Sequence, residues 1–95
     1  MKVRKVKNLE KTLKKKGFVL DPQIDHHRFY YLYIEGKKYP IYTYLSHSII
    51  EYGKELMGEI KKQLKFDSSS NLDRFFDSPM SKEKYIEMLR NQNHI

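Results

Sequence analysis

Between residues 25 and 34 the chain reads Asp25-His26-His27-Arg28-Phe29-Tyr30-Tyr31-Leu32-Tyr33-Ile34, and no other stretch constrains the fold as much. Aromatic and branched side chains suit a pleated surface, and the Glu35-Gly36-Lys37-Lys38 that follows is the polar, glycine-containing break of a hairpin. Side chains on a strand alternate between faces. His26, Arg28, Tyr30, Leu32 and Ile34 therefore share one side, and His27, Phe29, Tyr31 and Tyr33 the other. The adjacent histidines point in opposite directions. The expectation is a central strand with a histidine pair at its mouth.

The flanking segments supply partners for that strand. Val6, Leu9 and Leu13 recur at helical spacing among lysines, which predicts a short amphipathic helix over residues 5–16 with a basic outer face, stopped by Gly17. Phe18-Val19-Leu20 reads as a first strand, broken at Asp21-Pro22 because proline lacks an N–H and restricts the residue before it. After the hairpin, Tyr39-Pro40-Ile41-Tyr42-Thr43-Tyr44-Leu45 has strand composition, and Pro40 places it at a sheet edge or beside a bulge. Ser46 and Ser48 are candidate N-caps for a packing helix whose apolar stripe runs through Ile49, Gly53, Leu56, Met57, Ile60 and Leu64. Gly53 and Gly58 within it each cost about 1 kcal/mol relative to alanine.

Residues 65–71, centred on Asp67-Ser68-Ser69-Ser70-Asn71, read as a linker. Beyond it, Leu72, Phe75 and Phe76 form a short helical turn, Ser78-Pro79 interrupts, and Ser81 caps a last helix with Tyr85, Ile86 and Leu89 on its apolar side. Those aromatic groups need burial, so this tail is expected to dock on the domain or on a second copy of the chain. The expected fold is α+β: an α-β-β-β-α domain over residues 1–66 with a C-terminal helical extension over residues 67–95.

The chain has 95 residues and no cysteine, which allows one small core held by packing alone and excludes disulfides and thiolate metal sites. No apolar run approaches the roughly 18 to 20 residues that cross a bilayer, and Met1-Lys2-Val3-Arg4-Lys5-Val6-Lys7 lacks the apolar stretch of a signal peptide. A soluble, cytoplasmic protein is expected. The net charge of +7 is concentrated in one place: residues 1–16 hold eight basic groups against Glu10 alone, and the rest of the chain is balanced. A basic element on a neutral body is the electrostatic footprint of a polyanion partner, with a solvated lysine face as the plainer explanation.

The order helix, three antiparallel strands, helix resembles the double-stranded-RNA-binding-like fold, and particular residues narrow the likeness to the HicA family of small RNA-cleaving toxins. Gly17-Phe18 closes the first helix, His26-His27 with Phe29 sits where the family's histidine motif belongs, and His47 falls at the end of the third strand. Ile60 and Gln63 stand at suitable distances in the following helix. The likeness covers about residues 4–66. Ile24-Asp25 replaces the Gly-Ser that usually precedes the histidine, which removes close backbone approach and adds a negative charge beside a phosphate site.

This resemblance implies metal-independent cleavage of RNA, in which a base removes the 2′-hydroxyl proton and the oxyanion attacks phosphorus. His26 would be that base, since imidazole titrates near working pH. Lys5, Lys7, Lys11, Lys14 and Lys15 would hold phosphates, and Arg28 would stabilise charge on the phosphorane. His27 and His47 are accessory candidates. The spacing of Asp25, His26, His27 and His47 matches no common zinc motif, so no metal or other cofactor is expected. Tyr30, Tyr31, Tyr33, Tyr39, Tyr42 and Tyr44 lie on two neighbouring strands; half should be core, and the other face could meet RNA, a HicB-like antitoxin or the C-terminal tail. Three functional classes stay open: a ribonuclease, an RNA-binding module without catalysis, and a protein-interaction domain that forms a homodimer or holds an acidic partner.

Overall fold

The computed structural model describes residues 2–22, 27–46, 48–77 and 79–95. Asp25, His26 and His47 lie outside the described residues. A two-residue strand, β1 (Arg4–Lys5), runs directly into α1 (Val6–Lys15), which buries Val6, Leu9 and Leu13. Lys14 and Lys15 in its last turn lie favourably against the negative end of the helix dipole. Gly17 then takes φ +95°, a left-handed conformation open to glycine, and a Cβ there would stand 2.7 Å from Lys82 Cε.

Three strands follow as an antiparallel meander: β2 (Phe18–Leu20), β3 (His27–Ile34) and β4 (Lys37–Ser46), with β3 in the centre. Glu35 and Gly36 both have positive φ, the pattern of a two-residue hairpin turn whose twist matches its strands. β4 is an edge strand, and its register shifts between Tyr31↔Tyr42 and Tyr33↔Lys38. Tyr39, Pro40 and Ile41 thus oppose the single residue Leu32, so Pro40 sits both on an edge and in a bulge.

The next helix starts later than the serines suggested. Residues 51 and 52 form β5 (Glu51–Tyr52), which pairs with β1, and α2 (Lys54–Gln63) begins only after Gly53. Long-range pairing explains the delay. Val6 N donates to Ile50 O at 2.8 Å, and Tyr52, buried in the core, accepts from Ser46 N at 2.9 Å. Gly53 is the N-cap residue rather than a weak interior position. The expected linker is also shorter: α3 (Ser69–Phe76) begins within it, capped by the Ser68 hydroxyl, which accepts from Asn71 N at 3.1 Å. Ser81 caps α4 (Lys82–Asn91) in the same way, accepting from Lys84 N.

One core joins all these elements. Leu9 and Leu13 of α1, Tyr30 and Leu32 of β3, Leu45 of β4, Met57 and Ile60 of α2, Leu72 and Phe75 of α3, and Tyr85 and Leu89 of α4 are all at most 1 % exposed. Phe18, Phe66, Phe75 and Tyr85 form an aromatic cluster with centroids 4.9 to 6.3 Å apart, and Tyr85 Oη donates to Leu64 O at 2.8 Å. The C-terminal helices therefore pack on the helical side of the sheet and leave its other face uncovered by them. Among the described residues no helix is long and apolar enough to cross a membrane.

Candidate nucleic-acid interface

At about 100° per residue, Lys7, Lys11, Lys14 and Lys15 fall within an arc of about 100° on the side of α1 opposite its buried stripe. All four are exposed, as is Lys5 at the N-cap position, and none of the five has an ion pair among the described residues. The acidic residue of the same helix does not interrupt them. Glu10 is turned toward the sheet, where its side chain is 17 % exposed and accepts from Arg28 Nη1 at 2.7 Å and from the Tyr30 hydroxyl at 2.5 Å. Burial and the bond to Glu10 push the Tyr30 phenol up, keeping it a proton donor.

The other basic groups of the N-terminal cluster act within the fold. Lys16 continues the buried stripe Leu9, Leu13, and its ammonium donates to Phe75 O and lies 4.8 Å from the Phe75 ring centroid. Burial pushes its pKa down. Arg4 is 8 % exposed; it bonds Asp73 at 2.9 Å and Asp77 at 3.1 Å and stacks over Phe76. Lys2 adds a contact to Asp77 at 3.2 Å. Partial burial pushes the Asp77 carboxyl up, but hydrogen bonds and charge from Lys2 and Arg4 prevail and hold it below its usual value.

The sequence-predicted site residues are brought together only in part. Arg28 is 40 % exposed and tethered to Glu10, which places it beside Lys7 and Lys14, the residues three before and four after Glu10 on the helix. Its charge is already shared with a carboxylate, so a phosphate must compete with Glu10 for it. His27 lies on the opposite sheet face, its ring stacked on Tyr44 at 5.0 Å and 12°, and its Nδ1 is buried without a hydrogen-bond partner among the described residues. That placement suits packing, not proton transfer at the lysine surface. Among the described residues no group of three or more His, Cys, Asp or Glu is placed to hold a metal ion.

The outer sheet face carries a different chemistry. His27, Tyr44, Phe29, Tyr42 and Tyr31 follow one another across β3 and β4 with centroids 5.0 to 5.8 Å apart and planes 12 to 27° from parallel. Near-parallel rings this close cannot lie side by side, so they are offset-stacked and each covers its neighbours' faces. Lys38 Nζ stands 4.1 Å from the Tyr31 centroid at one end of this column and 3.3 Å from Asp21 Oδ2. Of the six tyrosines on these strands, only Tyr30 is fully buried; Tyr39 packs partly against the core. A bound base would find few open ring faces along the column.

Sequence reasoning missed the inward turn of Lys16, although its position three residues after Leu13 signals it. It also missed Asp21 and Lys38 as a pair, a contact between residues 17 positions apart in the chain. Comparison of the chain with protein-family models, curated proteins and solved structures yields no match in any of the three.

Proposed function

We propose that this protein binds RNA by gripping its phosphate backbone with the outward lysines of α1. The single observation that carries this reading is that Lys5, Lys7, Lys11, Lys14 and Lys15 are exposed and without an ion pair among the described residues, while Glu10 is turned inward. Like charges crowded on one helix repel each other, and a polyanion relieves that repulsion while releasing its own condensed counterions. The succession of α1, an antiparallel three-stranded meander and α2 supports a double-stranded-RNA-binding-like arrangement of HicA type. Within that reading the protein acts as an endoribonuclease in which His26 removes the 2′-hydroxyl proton, and a HicB-like antitoxin is its natural antagonist.

Anisotropy of a labelled RNA at increasing KCl tests the grip. Each phosphate contact contributes about 0.7 to 0.9 to the slope of log affinity against log salt, so several contacts give a steep decline. Affinity indifferent to salt would remove the phosphate-binding reading. Cleavage of the same RNA in EDTA, lost in His26→Ala with binding retained, supports the nuclease step; cleavage that survives the substitution takes the role away from His26.

A further inference from the structure

At the Lys38 end of the ring column the outer sheet face opens into a cleft of about 260 Å³. Val19 and Leu20 of β2, Tyr31 and Tyr33 of β3, and the Asp21 and Lys38 pair line it. We infer that this cleft takes one unpaired base of a bound RNA strand, stacked on Tyr33, which makes the ligand single-stranded. The inference rests on the RNA-binding reading and deepens it.

Four observations support the assignment. Tyr33 is the one aromatic residue on the outer side of β3 that takes part in no ring contact among the described residues, and it is half-buried and lines the cleft, whereas Phe29 and Tyr31 are stacked on neighbouring rings. A base stacks on such a ring whatever its identity, because every base has a π-face. The cavity is smaller than the roughly 300 to 1,000 Å³ of sites that enclose drug-sized ligands, which suits a single planar heterocycle. Lys38 stands at the rim, 3.3 Å from Asp21 Oδ2 and 4.1 Å from the Tyr31 ring centroid, which puts a cation beside the position of the base.

The fourth observation is continuity with the lysine arc. Tyr33 N donates to Gly17 O at 2.9 Å, and Gly17 lies two residues beyond Lys15. The last turn of α1 and the cleft therefore sit at the same end of the molecule, separated by β2, an edge strand of three residues. A flexible strand running along the lysines can pass round this short edge and place a base beside Tyr33. A duplex cannot do so without extruding a paired base at a cost of a few kcal/mol.

The test compares binding of a labelled single-stranded RNA with a duplex of the same sequence, for wild type, Tyr33→Ala and Tyr33→Phe. Wild type should prefer the single strand. Tyr33→Ala should lose about tenfold on the single strand, with duplex affinity and the salt slope unchanged, and Tyr33→Phe should restore binding. Unchanged duplex affinity doubles as the folding control; should Tyr33→Ala fail it, Lys38→Gln replaces it, with about a threefold loss expected on the single strand alone. Single-strand affinity unaltered by the substitution overturns the cleft assignment while leaving the lysine grip standing. Binding of neither RNA by wild type brings down both.

Discussion

The outward side of α1 and the outward face of the sheet are both open to solvent among the described residues, but in different senses. Four lysines on α1, with Lys5 at its N-cap, stand without ion pairs among the described residues, and their charges repel one another. On the sheet, the rings of His27, Phe29, Tyr31, Tyr42 and Tyr44 stack on one another, which leaves all but the exposed Tyr42 half-buried among the described residues. Exposure alone therefore does not mark a binding surface. A group whose best partner lies within the fold is already satisfied, and a crowd of like charges is not.

The sharpest way to break this contrast is to neutralise the arc. Lys7, Lys11, Lys14 and Lys15 replaced together by glutamine should weaken RNA binding on the order of a hundredfold near 0.1 M salt and flatten its salt slope by about 3. The melting temperature should change little, because the repulsion removed offsets the lost dipole interaction of Lys14 and Lys15. Binding that persists would mean the charge is only solvated surface.

Phe29→Ala strikes the other face. Phe29 stacks on Tyr44 at 5.1 Å and Tyr42 at 5.8 Å, and each ring pair contributes about 0.5 to 1.5 kcal/mol beyond its buried area. Urea unfolding should show a loss of about 2 kcal/mol, with RNA affinity within about twofold of wild type. An affinity loss as large as that of the lysine variant would reverse the assignment of the two faces.

The smallest effect separates the N-terminal cations that act in the fold from those of the arc. Asp77→Asn removes contacts to Lys2 and Arg4 and should cost about 0.5 kcal/mol at neutral pH, since the carboxylate is 39 % exposed. The folded state holds this carboxyl below its unfolded value, so its contribution is present above the unfolded pKa and is lost as pH falls through the folded one. Wild-type and variant stabilities should therefore converge in acid, while RNA binding at neutral pH stays unchanged.

Features written locally were legible in the sequence. The alternation of β3, the Glu35-Gly36 turn, the edge and bulge position of Pro40, and the Ser81 cap each follow from a few adjacent residues. What was missed depends on distant partners. Residues 51 and 52 lie within the span of the expected helix, but β1, nearly fifty residues away in the chain, captures them as β5. Lys16 and Arg4 count toward a basic cluster until Phe75, Asp73 and Asp77 turn them inward. Ser68 was a local signal read as linker, although its hydroxyl caps α3. For the site, the exposed lysines were readable from helical periodicity. That the rings consume each other's faces required the register Phe29↔Tyr44 and Tyr31↔Tyr42, which no single strand contains.

One measurement addresses the contrast directly: titrating single-stranded RNA into isotopically labelled protein and following the backbone amide resonances. Shifts should appear from Lys5 to Lys15 and at the cleft around Val19 and Tyr33, with Phe29 and Tyr44 in the middle of the column nearly still. Shifts concentrated on Phe29, Tyr42 and Tyr44, with α1 unmoved, would contradict that contrast.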